Sequence, residues 1–145
     1  MVSVFDVTKY ILEKYGPQTA MKLQKLVYYC QAWSLCWEGK PLFSEKIQAW
    51  TNGPVVRELF KDCQGEYLVN GVSRGDSSCL SEFQKETIDK VMEFYGNKSP
   101  QWLSDLTHSE DPWKIARQGV PDGVGSDNEV TLASMEIYYS SLHPQ

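Results

Sequence analysis

The chain has 145 residues, 41% of them hydrophobic, with five Trp, eight Tyr and five Phe; this suffices for one compact domain, residues 1–145, that needs no metal or disulfide. A net charge of −5 and a pI near 5.0 weigh against a sequence-independent grip on nucleic acid, which requires a surplus of Lys and Arg on one surface. No apolar run approaches the roughly 18 residues of a membrane span, no leader pattern opens the chain, and Cys30, Cys36, Cys63 and Cys79 lack metal-site spacing, so the expectation is a reduced, cytoplasmic protein without metal or cofactor.

Ser3 is placed to cap a first helix with Val4, Val7 and Ile11 on one face, stopped by Gly16-Pro17. Thr19 opens a second helix from Ala20 to about Trp37. Its Leu23, Leu26, Val27, Cys30, Trp33 and Trp37 recur at three- and four-residue steps, and Met21, Tyr28, Ala32 and Leu35 add apolar character elsewhere, which marks a central helix surrounded by the rest of the domain. Cys30 and Cys36 fall in that run as small core residues, whereas Cys63 and Cys79 flank polar turns.

Gly39-Lys40-Pro41 ends the central helix, and Ile47-Gln48-Ala49-Trp50 alternates as a short strand does. Asn52-Gly53-Pro54 reads as a turn with Pro54 starting a helix through Val55, Val56, Leu59 and Phe60. Tyr67-Leu68-Val69 is a second short strand, and the Gly/Ser-rich stretch 70–78 is a loop expected to be mobile. Ser81 with Gln84 forms a capping box before Ile88, Val91, Met92 and Tyr95, with Gly96 as the stop. Ser99-Pro100 and Asp111-Pro112 start two further helices by the same capping device. Residues 119–128 form a loop, and Thr131 caps a last helix with Leu132, Met135, Tyr139 and Leu142 on one face. The fold class is therefore mainly α: one compact helical domain of about five main helices, with short β-strand segments between helix 2 and helix 4.

Candidate chemistry is sparse. His108 has Ser109, Glu110 and Asp111 beside it, but sequence neighbours at a helix end more often bond the backbone than form a triad. His143 is the third residue from the end, where chains fray. The glycines form neither a dinucleotide nor a P-loop pattern. On the central helix, Lys22 and Lys25 sit on an apolar background. Lys25 either snorkels to water along its aliphatic stem, or lines a groove with Tyr28 and Trp50 as an aromatic and cationic patch of the kind found at protein interfaces.

The blocks Lys22-Leu23-Gln24-Lys25-Leu26-Val27-Tyr28-Tyr29, Pro41-Leu42-Phe43, Ala49-Trp50 with Asn52-Gly53-Pro54-Val55-Val56, and Thr107-His108 with Pro112-Trp113 resemble, in order and spacing, the Panacea-domain family, also described as SocA-like antitoxins and phage-associated GepA-like proteins. The resemblance runs from about residue 5 to residue 140. It implies a cytoplasmic helical domain, in its stand-alone form, that is the antitoxin of a toxin–antitoxin pair. Such a protein neutralises a cognate toxin by direct protein contact, in one form as a proteolytic adaptor that delivers the toxin to an AAA+ protease. It nominates Lys25, Tyr28, Trp50, Gly53, Pro54 and Val55 for partner binding, with Lys25, Tyr28 and Trp50 foremost. His108 and Trp113 are carried over as motif residues without an assigned role.

The chain is accordingly expected not to be an enzyme. Two other readings compete: a hydrolase-like centre around His108, which requires Asp111, Glu110 or a cysteine in the same cleft, and a DNA-binding regulatory role. Residues 1–65 carry eight Lys/Arg against six Asp/Glu and residues 66–145 six against thirteen, or +2 and −7. Only the first half leaves room for nucleic acid, and the acidic second half suits the steering of a basic partner.

Overall fold

The computed structural model describes residues 2–142; His143 lies outside them. The helices are α1 (Val4–Tyr15), α2 (Ala20–Glu38), α3 (Arg57–Asp62), α4 (Glu82–Tyr95), α5 (Pro100–Ser109), α6 (Asp111–Ala116) and α7 (Leu132–Leu142). The short strands are β1 (Gln18–Thr19), β2 (Ile47–Trp50), β3 (Gly53–Val56), β4 (Leu68–Val69) and β5 (Glu129–Val130). Five helices have ten or more residues, as expected, while α3 and α6 have six each.

Local signals set most helix starts. Ser3, Thr19, Ser81 and Ser99 each accept a hydrogen bond from a first-turn amide, and Ser3 and Ser81 close full capping boxes with Asp6 and Gln84. Thr131 Oγ1 accepts from the Ser134 amide at 3.1 Å. Each such cap stabilises its helix by about 1 kcal/mol. The cap proposed at Asp111 is a correction: the capping position belongs to Glu110, which makes no side-chain cap bond, because its carboxylate turns into the core instead. On α7, Met135 and Tyr139 are fully buried, whereas Leu132 and Leu142 remain half-exposed.

The stretch after Asn52 also departs from expectation. Gly53–Val56 is a strand, antiparallel to β2 with Ala49 opposite Pro54 and Trp50 opposite Gly53, and the helix begins only at Arg57. The turn therefore consists of Thr51 and Asn52. Pro54 is tolerated because β3 is the edge of the sheet ordered β3-β2-β5, and Val55 and Val56 are β-branched. The backbone N–H and C=O of Val56 are both taken by the Gln24 side-chain amide, at 2.8 and 3.2 Å. Two-residue pairings at β1-β4 and β2-β5 place extended segments outside the interval between helix 2 and helix 4 as well.

Helix α2 is the axle. It packs against α4, α5, α7 and β3, and Leu23 through Ala32 are buried without interruption, the pattern of a helix enclosed on all sides. Its buried polar groups are matched to backbone: Gln31 bonds Leu42 N, Phe43 N and Phe43 O, and Ser34 bonds Lys40 O. The 70–78 loop is anchored rather than loose. Asp76 N donates to Asp6 Oδ1 at 2.7 Å, the Arg74 guanidinium lies 3.9 Å from the Phe5 ring centre, and Gly75 approaches the Phe5 carbonyl so closely that a Cβ would stand 2.5 Å from it.

Candidate functional site

The β2–β3 hairpin is held from behind by α5, α6 and the residue that ends α6. Four consecutive carbonyls each receive one side-chain donor: Ala49 O from Arg117 Nη1 (3.0 Å), Trp50 O from Trp113 Nε1 (2.8 Å), Thr51 O from His108 Nε2 (3.1 Å) and Asn52 O from Ser104 Oγ (3.1 Å). As donor to a carbonyl, His108 must carry its proton on Nε2. Its ring also meets Trp113 edge-on at 4.3 Å. Glu110 is engaged elsewhere, so His108 and Glu110 are not arranged as an acid–base pair. Two of the motif residues without an assigned role, His108 and Trp113, thus fix the shape of the turn.

In front of the hairpin lies an open groove of about 1120 Å³, walled by the start of α2, the β2–β3 hairpin, α3 and the 125–127 loop. Trp50 and Phe60 meet edge to face at 4.9 Å on one wall, and Trp50 Nε1 donates to Gln48 Oε1 at 2.8 Å. Met21 and Phe60 keep 39% and 40% of their surface exposed, an amphipathic rim of the type that protein interfaces use.

Lys25 lines the groove floor and is only 2% exposed. Its stem is enclosed, and the little surface that the side chain keeps faces the groove. Among the described residues its ammonium has neither an ion-pair partner nor a hydrogen bond, and burial alone pushes its pKa from 10.5 down to about 8. The stem fits because residue 53 is glycine: a Cβ there would stand 2.7 Å from Lys25 Cε and 3.1 Å from both Lys25 Nζ and Thr107 Oγ1. Gly53 has φ +126°, a conformation natural only to glycine. By contrast, Lys22, one turn earlier, donates to the Gly96 carbonyl at the end of α4.

Tyr28 is set apart from this groove. It is 1% exposed, and its hydroxyl lies 3.0 Å from that of Tyr139. Tyr139 and Tyr29 both donate to Glu110 Oε1, at 2.8 and 2.7 Å, which leaves Tyr28 as donor to Tyr139. Tyr29 stacks on Tyr95 at 4.1 Å. Burial raises the pKa of Glu110 even though both tyrosine bonds oppose the rise.

Of the nominated residues, the structure gathers Lys25, Trp50, Gly53, Pro54 and Val55 around the hairpin and groove, with His108 and Trp113 behind. Tyr28 is in the tyrosine core, and Gly53, Pro54 and Val55 are buried, so their part in the groove is to shape it. The sequence reading missed Met21, Arg57, Phe60 and Lys61 as groove residues. Had α3 been started at Arg57, the four-residue step from Arg57 to Lys61 with Phe60 between would have marked one cationic, aromatic face.

The family described as "Antitoxin SocA-like, Panacea domain" matches residues 23–114, a span containing most of the central helix, the hairpin and the donors at Ser104, His108 and Trp113. The chain belongs to this family. It is similar to Antitoxin SocA of Caulobacter vibrioides (strain NA1000 / CB15N), with 27% identity over 75% of this chain and 65% of the relative's length; somewhat less than two thirds of that curated relative is therefore spanned. No solved structure matches.

Proposed function

We propose that this protein is an antitoxin that neutralises a cognate protein toxin by direct contact, acts in the cytoplasm and uses the groove in front of the β2–β3 hairpin as its contact surface. The observation that carries this reading is convergence. Motif residues as distant as Lys25 and Trp113 meet at one hairpin, and that hairpin walls the molecule's large open groove. Membership of an antitoxin family supplies the class of partner. A preformed, clamped surface with an aromatic pair and adjacent cations suits protein docking, where a few anchors carry most of the affinity.

The test is co-expression with the product of the neighbouring gene, scoring growth and co-purification together. Trp50→Ala and Phe60→Ala are each expected to weaken the complex by about 10- to 100-fold while circular dichroism remains native. If the neighbouring product is neither toxic nor bound, the reading is rejected. The half-life of the bound toxin in the same cells separates plain occupancy, which leaves it long, from adaptor delivery to an AAA+ protease, which shortens it.

A further inference from the structure

The largely buried amine on the groove floor asks for a counter-charge that no described residue supplies. An ammonium removed from water is unfavourable unless it is paired and hydrogen-bonded. A lysine that merely filled this space would be replaced at no loss by methionine, which has similar length and no charge. The other buried polar side chains of α2 find partners: Gln24 and Gln31 bond backbone, and the Tyr28 and Tyr29 hydroxyls bond Tyr139 and Glu110. Lys25 is the exception, and it lines a groove open to an incoming ligand. The lining carries Lys25, Arg57 and Lys61 against Glu66 and Asp127, three positive groups to two negative, in a chain whose net charge is −5. The groove is thus a locally positive place on an acidic protein, with Met21, Trp50 and Phe60 beside the charges.

We propose that the groove floor is a carboxylate-binding subsite in which Lys25 is the buried counter-ion for an acidic side chain that the protein partner lowers in beside the Trp50–Phe60 pair. This rests on the groove being the toxin face for its biological occupant, but the carboxylate chemistry stands on its own. Seating a carboxylate on Lys25 favours the charged amine, so binding takes up a proton when the pH is near or above 8. The complex therefore weakens as pH rises beyond that point. Gly53 belongs to the same device, because a Cβ there would stand 2.7 Å from Lys25 Cε and push the end of the lysine side chain from its present place.

The experiment uses the full chain with lysine Cε carbon-13 labelled, followed by NMR across pH with and without the probe peptide acetyl-Glu-Trp-Glu-amide; Lys25→Met identifies the resonance by its disappearance. The peptide is expected to move the Lys25 signal saturably and raise its midpoint by about one unit or more, and acetyl-Gln-Trp-Gln-amide to leave it unmoved. With the toxin, Lys25→Met is expected to lower affinity by more than about 30-fold in a chain whose melting temperature is unchanged or higher. A Lys25 midpoint that ignores the acidic peptide up to its solubility limit overturns the subsite, even if the toxin binds. Failure of the wild-type chain to bind the neighbouring gene product overturns the antitoxin reading instead, and the peptide titration then decides the subsite alone.

Discussion

Two charged side chains meet the core of this protein on different terms. Glu110 is 5% exposed and receives two tyrosine hydroxyls, one of them braced by a third tyrosine. Lys25 is 2% exposed and has no hydrogen-bond or ion-pair partner among the described residues. The first is a buried carboxylate built into the architecture, tying the central helix and α7 to the start of α6. The second is a buried ammonium that the architecture tolerates without using. A satisfied polar network specifies a fold, whereas an unmatched charge is a cost to the fold.

That contrast makes opposite predictions for removing the two charges. Glu110→Ala strands two buried hydroxyls and is expected to lower stability by about 4 kcal/mol in urea unfolding. The milder Glu110→Gln tests the ionisation. Burial raises the folded-state pKa of Glu110 above its ordinary 4.5, so the folded chain holds the extra proton. Wild-type stability should therefore fall relative to Gln as pH climbs from about 4.5 through the raised value. Lys25→Met should do the reverse of Glu110→Ala and stabilise the fold, by up to about 3 kcal/mol at neutral pH, since a shift from 10.5 to about 8 is worth about 1.4 kcal/mol per unit. The folded pKa is the lower one, so wild-type stability rises between about pH 8 and 10.5 and the advantage of Met vanishes above that window. A destabilised Lys25→Met would erase the comparison.

Gly53→Ala probes the join between lysine and hairpin. A positive φ and a clash with Lys25 Cε should together cost about 2 kcal/mol, and combining it with Lys25→Met tests whether the clash or the backbone dominates. The smallest effect is expected from Trp113→Phe, which keeps a ring against the core but withdraws the donor from Trp50 O. A loss of about 1 kcal/mol should appear as faster amide hydrogen exchange confined to the hairpin.

Local chemistry was readable in the sequence, and long-range pairing was not. Ser3, Thr19, Ser81, Ser99 and Thr131 cap helices through contacts within three residues, and the enclosed character of the central helix follows from its apolar residues on every face. Pro54 misled because proline at a helix start and proline on an edge strand give the same local pattern, and only pairing with Ala49 decides between them. Strands of two residues carry no periodicity, so β1, β4 and β5 exist only through their partners. The site divided in the same way. Lys25, Trp50 and Gly53 stand out by type and motif, but Tyr28, almost one turn further along the same helix, is taken into the core by Tyr139, a partner 111 positions away. The contact of His108 with Thr51 O joins residues 57 positions apart and leaves no local pattern in the sequence.

The hairpin clamps also set an order of events during synthesis. Residues 49–52 emerge from the ribosome well before Ser104, His108, Trp113 and Arg117, which lie 52, 57, 63 and 68 positions further along, and β2 waits longer still for its pairing with β5. Contacts of such separation form late. A nascent chain can therefore wind its central helix yet present no finished hairpin and groove until Arg117 and Val130 have been made and have found their partners.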